Sequence, residues 1–191
     1  MVRFTLDTNC IIDLDEKRSS AQSIRSLVQA HESGHAKVAV VAASASERQQ
    51  GGKRMHNFVE FQDRLASLGL AKLDILKPLF YWDVGYWDWG LWAEPELERL
   101  EQSIQDVLFP SIERQWSDFC RSRGLDPEAV PKDSKWLNAK CDVLTMWSHV
   151  HYGHDVFVTG DANFHSAQKK STLLLLGAGR IEYPNDAVTL I

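Results

Sequence analysis

Four short apolar runs, separated by stretches of helical period, constrain this chain more than any other feature. "VRFTL" at residues 2–6, "AKVAVVAA" from Ala36, "LDILK" from Leu73 and "DVFVT" from Asp155 read as strands. Between them, Ala21, Ile24, Leu27 or Val28, and His31 fall at helical spacing before a stop at Gly34. Phe58, Phe61, Leu65 and Leu68 do the same before Gly69, and residues 134–152 form an apolar helix ending near Gly153. A helix through "KKSTLLLLG" leads to a last short strand near Arg180–Tyr183, followed by a tail. Buried strands alternating with helices predict an α/β fold with a parallel central sheet covered on both faces. The segment from Pro78 departs from this rhythm. "PLFYWDVGYWDWGLW" has no clean period, Glu94 to Arg123 reads as one helical piece, and residues 124–134, with Pro127 and Pro131, read as a loop.

A length of 191 residues is enough for one domain with a sizeable core, so residues 1–191 are expected to form a single domain with an insertion at about 78–133. Hydrophobic residues at 44% and charged residues at 25% are the proportions of a soluble globular protein. No apolar run reaches the roughly 20 residues of a membrane span, and no basic stretch followed by an apolar one opens the chain. Cys10, Cys120 and Cys141 are odd in number and lack metal-ligand spacing, so they read as free thiols of a reducing compartment. These features predict a cytoplasmic protein with no membrane partner. The net charge of −5 offers no bulk attraction to nucleic acid, so any such partner needs local cations or metal ions to offset the acids.

In parallel sheets ligands bind beyond the carboxyl ends of the strands. Asp7 directly follows the first strand, and Asp161 follows the fourth after Thr159 and Gly160. Glu47 lies just past the second strand, and Asp142 interrupts the apolar run "AKCDVLTMW" of the helix that feeds the fourth. Clustered carboxylates repel one another, and a divalent cation removes that cost. Hard oxygen ligands suit Mg2+ or Mn2+ better than zinc. One such ion can activate water, and a pair about 3.5–4 Å apart can stabilise the attacking and leaving oxygens of a phosphodiester.

Each acid also has a structural reading. Asp7 suits a helix N-cap, Ser44 and Glu47 fit a Ser-x-x-Glu capping box, Asp142 suits a buried salt bridge, and Asp161 suits a turn. His149, His151 and His154 have poor spacing for a shared metal on one helix and read as solvated or partner-facing. His165 reads as a surface helix position. Arg48, Lys53 and Arg54 surround Gly51 and Gly52, where they either hold a phosphate backbone or are solvated, and Lys169 and Lys170 read in the same two ways. Trp82, Trp87, Trp89 and Trp92 are interleaved with Asp83 and Asp88 rather than with basic residues, which favours a packed insertion core or a protein-contact surface over base stacking.

"FTLDTNCIIDL", the Glu of "ASASERQQ", "AKCDVLTMWSHVHYGHDVFVTGDANF" and "LLLLGAGRIEYPNDAV" together resemble the PIN-domain family of metal-dependent ribonucleases. The resemblance covers about residues 1–50 and 134–188 and is weak or absent from 78 to 133. It implies a three-layer α/β/α fold, here with a mainly helical insertion, and a metal site of three or four acids. Carried over by position, Asp7, Glu47, Asp142 and Asp161 are the metal-binding and catalytic acids. Thr159 matches the small hydroxyl residue before the last acid. Asn163 matches a position often held by a further Asp, Asn or His, and its neutrality weakens a second metal position. Asn9 matches the opening motif, where its amide is expected to brace the loop. The implied activity is RNA hydrolysis with Mg2+ or Mn2+. The implied partners are an RNA substrate, a small inhibitory protein of the antitoxin kind in a toxin–antitoxin pair, and further copies of the chain. Two alternatives remain. A non-catalytic module could use the Trp-rich segment for protein contact. A haloacid-dehalogenase-like phosphatase also ends a strand on Asp, but needs a second acid where this chain has Asn9.

Overall fold

A computed structural model of the protein describes residues 1–45, 58–82 and 84–191. Five strands, β1 (Arg3–Leu6), β2 (Lys37–Val41), β3 (Asp74–Leu76), β4 (Val156–Val158) and β5 (Arg180–Glu182), form one sheet in the order β3-β2-β1-β4-β5. Every pairing is parallel, and the register sets Leu6 beside Val40 on one side and Val158 on the other. The sheet is therefore the expected one, with β1 at its centre.

Side chains alternate across the sheet because successive Cβ atoms point to opposite faces. Phe4, Leu6, Val38, Val40, Val156 and Val158 build one core with helices α1 (Thr8–Asp15), α2 (Ala21–Glu32) and α3 (Phe58–Ser67). Ala39, Val41, Phe157 and Ile181 build the other with α4 (Pro95–Leu108), α5 (Trp116–Arg121), α6 (Ser134–His151), α7 (Ala162–His165) and α8 (Ala167–Leu175). The tail adds α9 (Pro184–Ala187), whose Ala187 joins the first core. Helices thus cover both faces. No helix among the described residues is long and apolar enough to cross a membrane.

The helical piece expected from Glu94 to Arg123 is two helices. Phe109 takes φ −139°, ψ 59°, outside the helical region, because the ring of Pro110 disfavours α backbone before it. The two helices are not an appendage. Ile104, Leu108, Trp116 and Phe119 lie in the same core as Ala39 and Phe157 of the sheet. The indoles of Trp136 and Trp147 on α6 donate to the carbonyls of Glu113 (2.8 Å) and Leu97 (3.0 Å). Lys140 of α6 meets Glu101 of α4 at 2.6 Å, both side chains 1% exposed, and Arg114 meets the other oxygen of Glu101 at 2.9 Å. Two cations on one buried carboxylate fix how α4 lies on α6, since removing any member strands a buried charge. Gly179 is required twice over. Its φ is +58°, and a Cβ would lie 2.5 Å from the carbonyl oxygen of Asp155.

Two of the three histidines on and after α6 depart from their expected places. His149 is buried, bonding Ala178 O through Nε2 (2.8 Å) and Thr5 Oγ1 through Nδ1 (3.0 Å). Neutral His149 donates to the carbonyl, so its Nδ1 accepts the Thr5 proton. Thr5 Oγ1 is then left to accept from His154 Nδ1 at 2.8 Å. His151 stacks on Trp147. His149 and His154 thus connect α6 and the turn after it to the centre of the sheet, whereas His151 is exposed, as a solvated reading requires. Burial pushes the His149 pKa down to about 4, against the raising effect of the Ala178 carbonyl. Unfolded histidine takes up its proton near pH 6.5, so this contribution is complete above that pH and is lost as pH falls toward 4. The destabilisation caused by His149→Gln, measured by urea unfolding, should therefore shrink by about 3 kcal/mol between pH 7.5 and pH 4. A pH-independent difference between variant and wild type would contradict this account.

Candidate metal centre

The β1 and β4 ends meet because the parallel register continues one residue beyond the strands. The Asp7 amide donates to Val158 O at 3.0 Å, which sets the Asp7 side chain beside Thr159. Thr159 Oγ1 donates to Asp7 Oδ2 at 2.6 Å and accepts from the Asp161 amide at 3.0 Å. Asp161 Oδ1 in turn accepts from the Asn163 amide at 2.8 Å. One buried hydroxyl thus ties together the two acids that end neighbouring central strands. Asp7 Oδ1 accepts from the Thr8 amide at 2.7 Å, and both acids sit at N-cap positions, Asp7 on α1 and Asp161 on α7. The capping reading and the strand-end reading hold together.

A second link was not foreseen. Thr8 Oγ1 donates to Ser44 Oγ at 2.7 Å, both residues buried, which joins the start of α1 to the 3-10 turn Ala42–Ala45 after β2. A hydroxyl directly after Asp7 and another at the end of the second apolar run were the available signals. Glu47, Arg48, Lys53 and Arg54 lie outside the described residues.

Asp142 is half-buried on α6 and lines a cavity of ≈ 590 Å³ together with Asn138, Asn163, Lys135 and Lys169. Asp7, Thr159, Asp161 and Asn163 are therefore joined by hydrogen bonds, whereas Asp142 shares only a cavity wall with Asn163, and Asp7 and Asp161 do not border that cavity. Among the described residues, no three His, Cys, Asp or Glu side chains form a group able to hold a metal ion by themselves. Lys169 is no solvated charge. Its ammonium donates to Asn163 Oδ1 and to Leu108 O (2.7 Å). Lys170 donates to Ile181 O. His165 is half-buried, 3.0 Å from Thr159 O through Nε2 and stacked on Tyr183. Asn9 was expected to brace the loop; its Oδ1 is buried with no hydrogen-bond partner among the described residues. Asp13, expected at the helix surface, is largely buried and accepts from Ser20 and Arg18. Cys10, Cys120 and Cys141 form no disulfide, as expected, and all three are buried.

No family model matches this chain, and neither does a curated protein or a solved structure. The chemistry of the site therefore rests on its own electrostatics. Burial raises the Asp7 pKa to about 6, the Thr159 and Thr8 hydrogen bonds lower it, and the charge of Asp161 raises it further. The net direction shows that two fixed donors do not offset the cost of burying this carboxylate beside another. The donor set is all hard oxygen, the kind that Mg2+ and Mn2+ prefer.

The folded protein takes up a proton on Asp7 at a pH where the unfolded carboxylate is still ionised. The penalty is thus fully present above pH 6 and disappears as pH falls toward 4. In the presence of chelator, Asp7→Asn should raise unfolding stability at pH 7.5 by about 2 kcal/mol, the full linkage less the lost charge-assisted bonds. The gain should vanish near pH 4. Equal destabilisation at both pH values would contradict the raised pKa.

Proposed function

We propose that this chain is a PIN-like, metal-dependent endoribonuclease. The observation that carries the reading is the buried Thr159 hydroxyl, which holds Asp7 and Asp161 together at the carboxyl ends of adjacent central strands beside the cavity lined by Asp142. Asp7, Asp142 and Asp161 would hold Mg2+ or Mn2+, with Glu47 completing the acids. A bound ion of this kind supplies an activated water and offsets charge on the phosphate.

The chain's own residues have separate tasks. Thr159 and the Thr8 amide fix both oxygens of Asp7, and the Asn163 amide fixes Asp161, so the acids are pre-oriented before substrate arrives. Lys169, anchored by Asn163 and Leu108, adds a fixed positive charge to the cavity that would receive the phosphate, and Lys135 adds another. Asn163 is engaged by that ammonium, so the donor set favours a single ion over a pair. Arg48, Lys53 and Arg54 would extend the phosphate contacts. A small inhibitory protein and self-association belong to the same reading as proposals.

Purified protein should cleave RNA with Mg2+ or Mn2+ and not with chelator. Asp142→Asn and Asp161→Asn should each lower the rate about a hundredfold or more, with the fold retained by circular dichroism. Cleavage surviving undiminished in both folded variants would overturn the assignment of the acids.

A further inference from the structure

The Trp-rich segment is closed on itself. Phe80 N donates to Leu91 O at 2.7 Å and Leu91 N to Pro78 O at 2.8 Å. Gly90 permits this closure, since a Cβ there would lie 2.9 Å from Phe80 Cβ. Tyr86 and Trp89 turn inward, with Trp89 stacked on Phe58 at 4.2 Å. Tyr81 packs against the other core, beside Trp136, and the remaining aromatics do not turn inward. Phe80, Trp82, Trp87 and Trp92 cluster with centroids 5.3–5.9 Å apart, and the three tryptophans are 66%, 63% and 63% exposed.

Beneath this cluster lies a cavity of ≈ 390 Å³ bordered by Phe80, Tyr81, Trp82, Trp92 and Trp116. The sequence pairs these tryptophans with acids, but the fold brings cations to them from elsewhere. Arg114 and Lys132 border the same cavity. Glu101 also borders it, yet Lys140 holds that carboxylate from behind and Arg114 binds its other oxygen. The Arg114–Glu101 bond uses Nη1 alone, so the guanidinium is fixed in place while most of its donors are directed elsewhere. Glu98 is the remaining carboxylate among the described residues of the wall. Stacking faces beside an oriented guanidinium suit a planar ring that carries an anion. The segment Phe109–Trp116 borders both this cavity and the one lined by Asp142, so the two are neighbours along one short stretch of chain.

We propose that this aromatic cavity binds one unpaired nucleotide, its base stacked among Phe80, Trp82 and Trp92 and its phosphate on Arg114. The proposal rests on the nuclease reading for its substrate class and makes that class single-stranded RNA. The ligand could arrive free or within a strand, and the test separates the two. Tryptophan fluorescence is titrated in chelator, where no cleavage occurs, with uridine monophosphate, single-stranded oligouridine, an RNA duplex and oligo-arginine. Saturable quenching by the single strand, with little from duplex, supports a strand subsite. Equal affinity for the mononucleotide supports a free-nucleotide pocket of the same chemistry. Trp82→Ala and Trp92→Ala, both at exposed positions, should weaken binding about tenfold or more, and Arg114→Gln should also flatten its salt dependence. Undiminished binding in the Trp variants, or a response to oligo-arginine alone, overturns the proposal, the latter in favour of a basic protein partner. Cleavage by wild type without Trp-dependent binding defeats this pocket and leaves the nuclease standing. Trp-dependent binding without metal-dependent cleavage does the reverse.

Discussion

The hydrogen bond from Thr159 to Asp7 is the contact on which the rest of the site depends. It lies where β1 and β4 stop pairing through their backbones, and it replaces the next rung of the ladder with a side-chain bond. A buried carboxylate without such a donor would be costly, and a buried hydroxyl without an acceptor would be too. Each resolves the other, and the same oxygen of Thr159 anchors the amide of Asp161. The geometry of the acids is thus set by the register of the two central strands, not by the loops that follow them.

The sheet imposes that register through its two cores. Phe4 and Leu6 point one way and Thr5 the other, where His149 and His154 take up its hydroxyl. α6 is therefore fixed against β1 by polar contacts as well as by Val143, Leu144 and Trp147, and Asp142 is carried at a defined place along it. The far side of α6 is fixed by α4 through the Lys140–Glu101–Arg114 group. One helix thus carries an acid of the proposed centre and one partner of the buried ion pair that underlies the aromatic cavity.

Most of the framework was legible in the sequence because short apolar runs, glycine stops and strand-end acids are local signals. Gly34, Gly69, Gly153 and Gly177 all take positive φ at or near the helix ends where they were expected. What was not legible depends on which distant residues share a face. His149 sits in an apolar run, and only the packing of α6 on β1 shows that it faces Thr5. Lys169 looked solvated because Asn163 and Leu108, its two acceptors, come from different parts of the chain. The acids beside the tryptophans were visible as neighbours in sequence, whereas Arg114 and Lys132 reach the same cavity only through the fold. The motif position of Asn9 did not show that its oxygen would be buried without a donor among the described residues. The break at Pro110 was readable from proline alone and was outweighed by the helical period on either side.

The proposed function turns on whether Asp7, Asp142 and Asp161, with Glu47 completing the acids, hold a divalent cation. Crystals soaked in Mn2+ and measured at the manganese absorption edge test it most directly. The account predicts one anomalous peak bounded by the carboxylates of these three residues, absent from crystals of Asp161→Asn. No peak at that position at saturating Mn2+, or an unchanged peak in the variant, would contradict it.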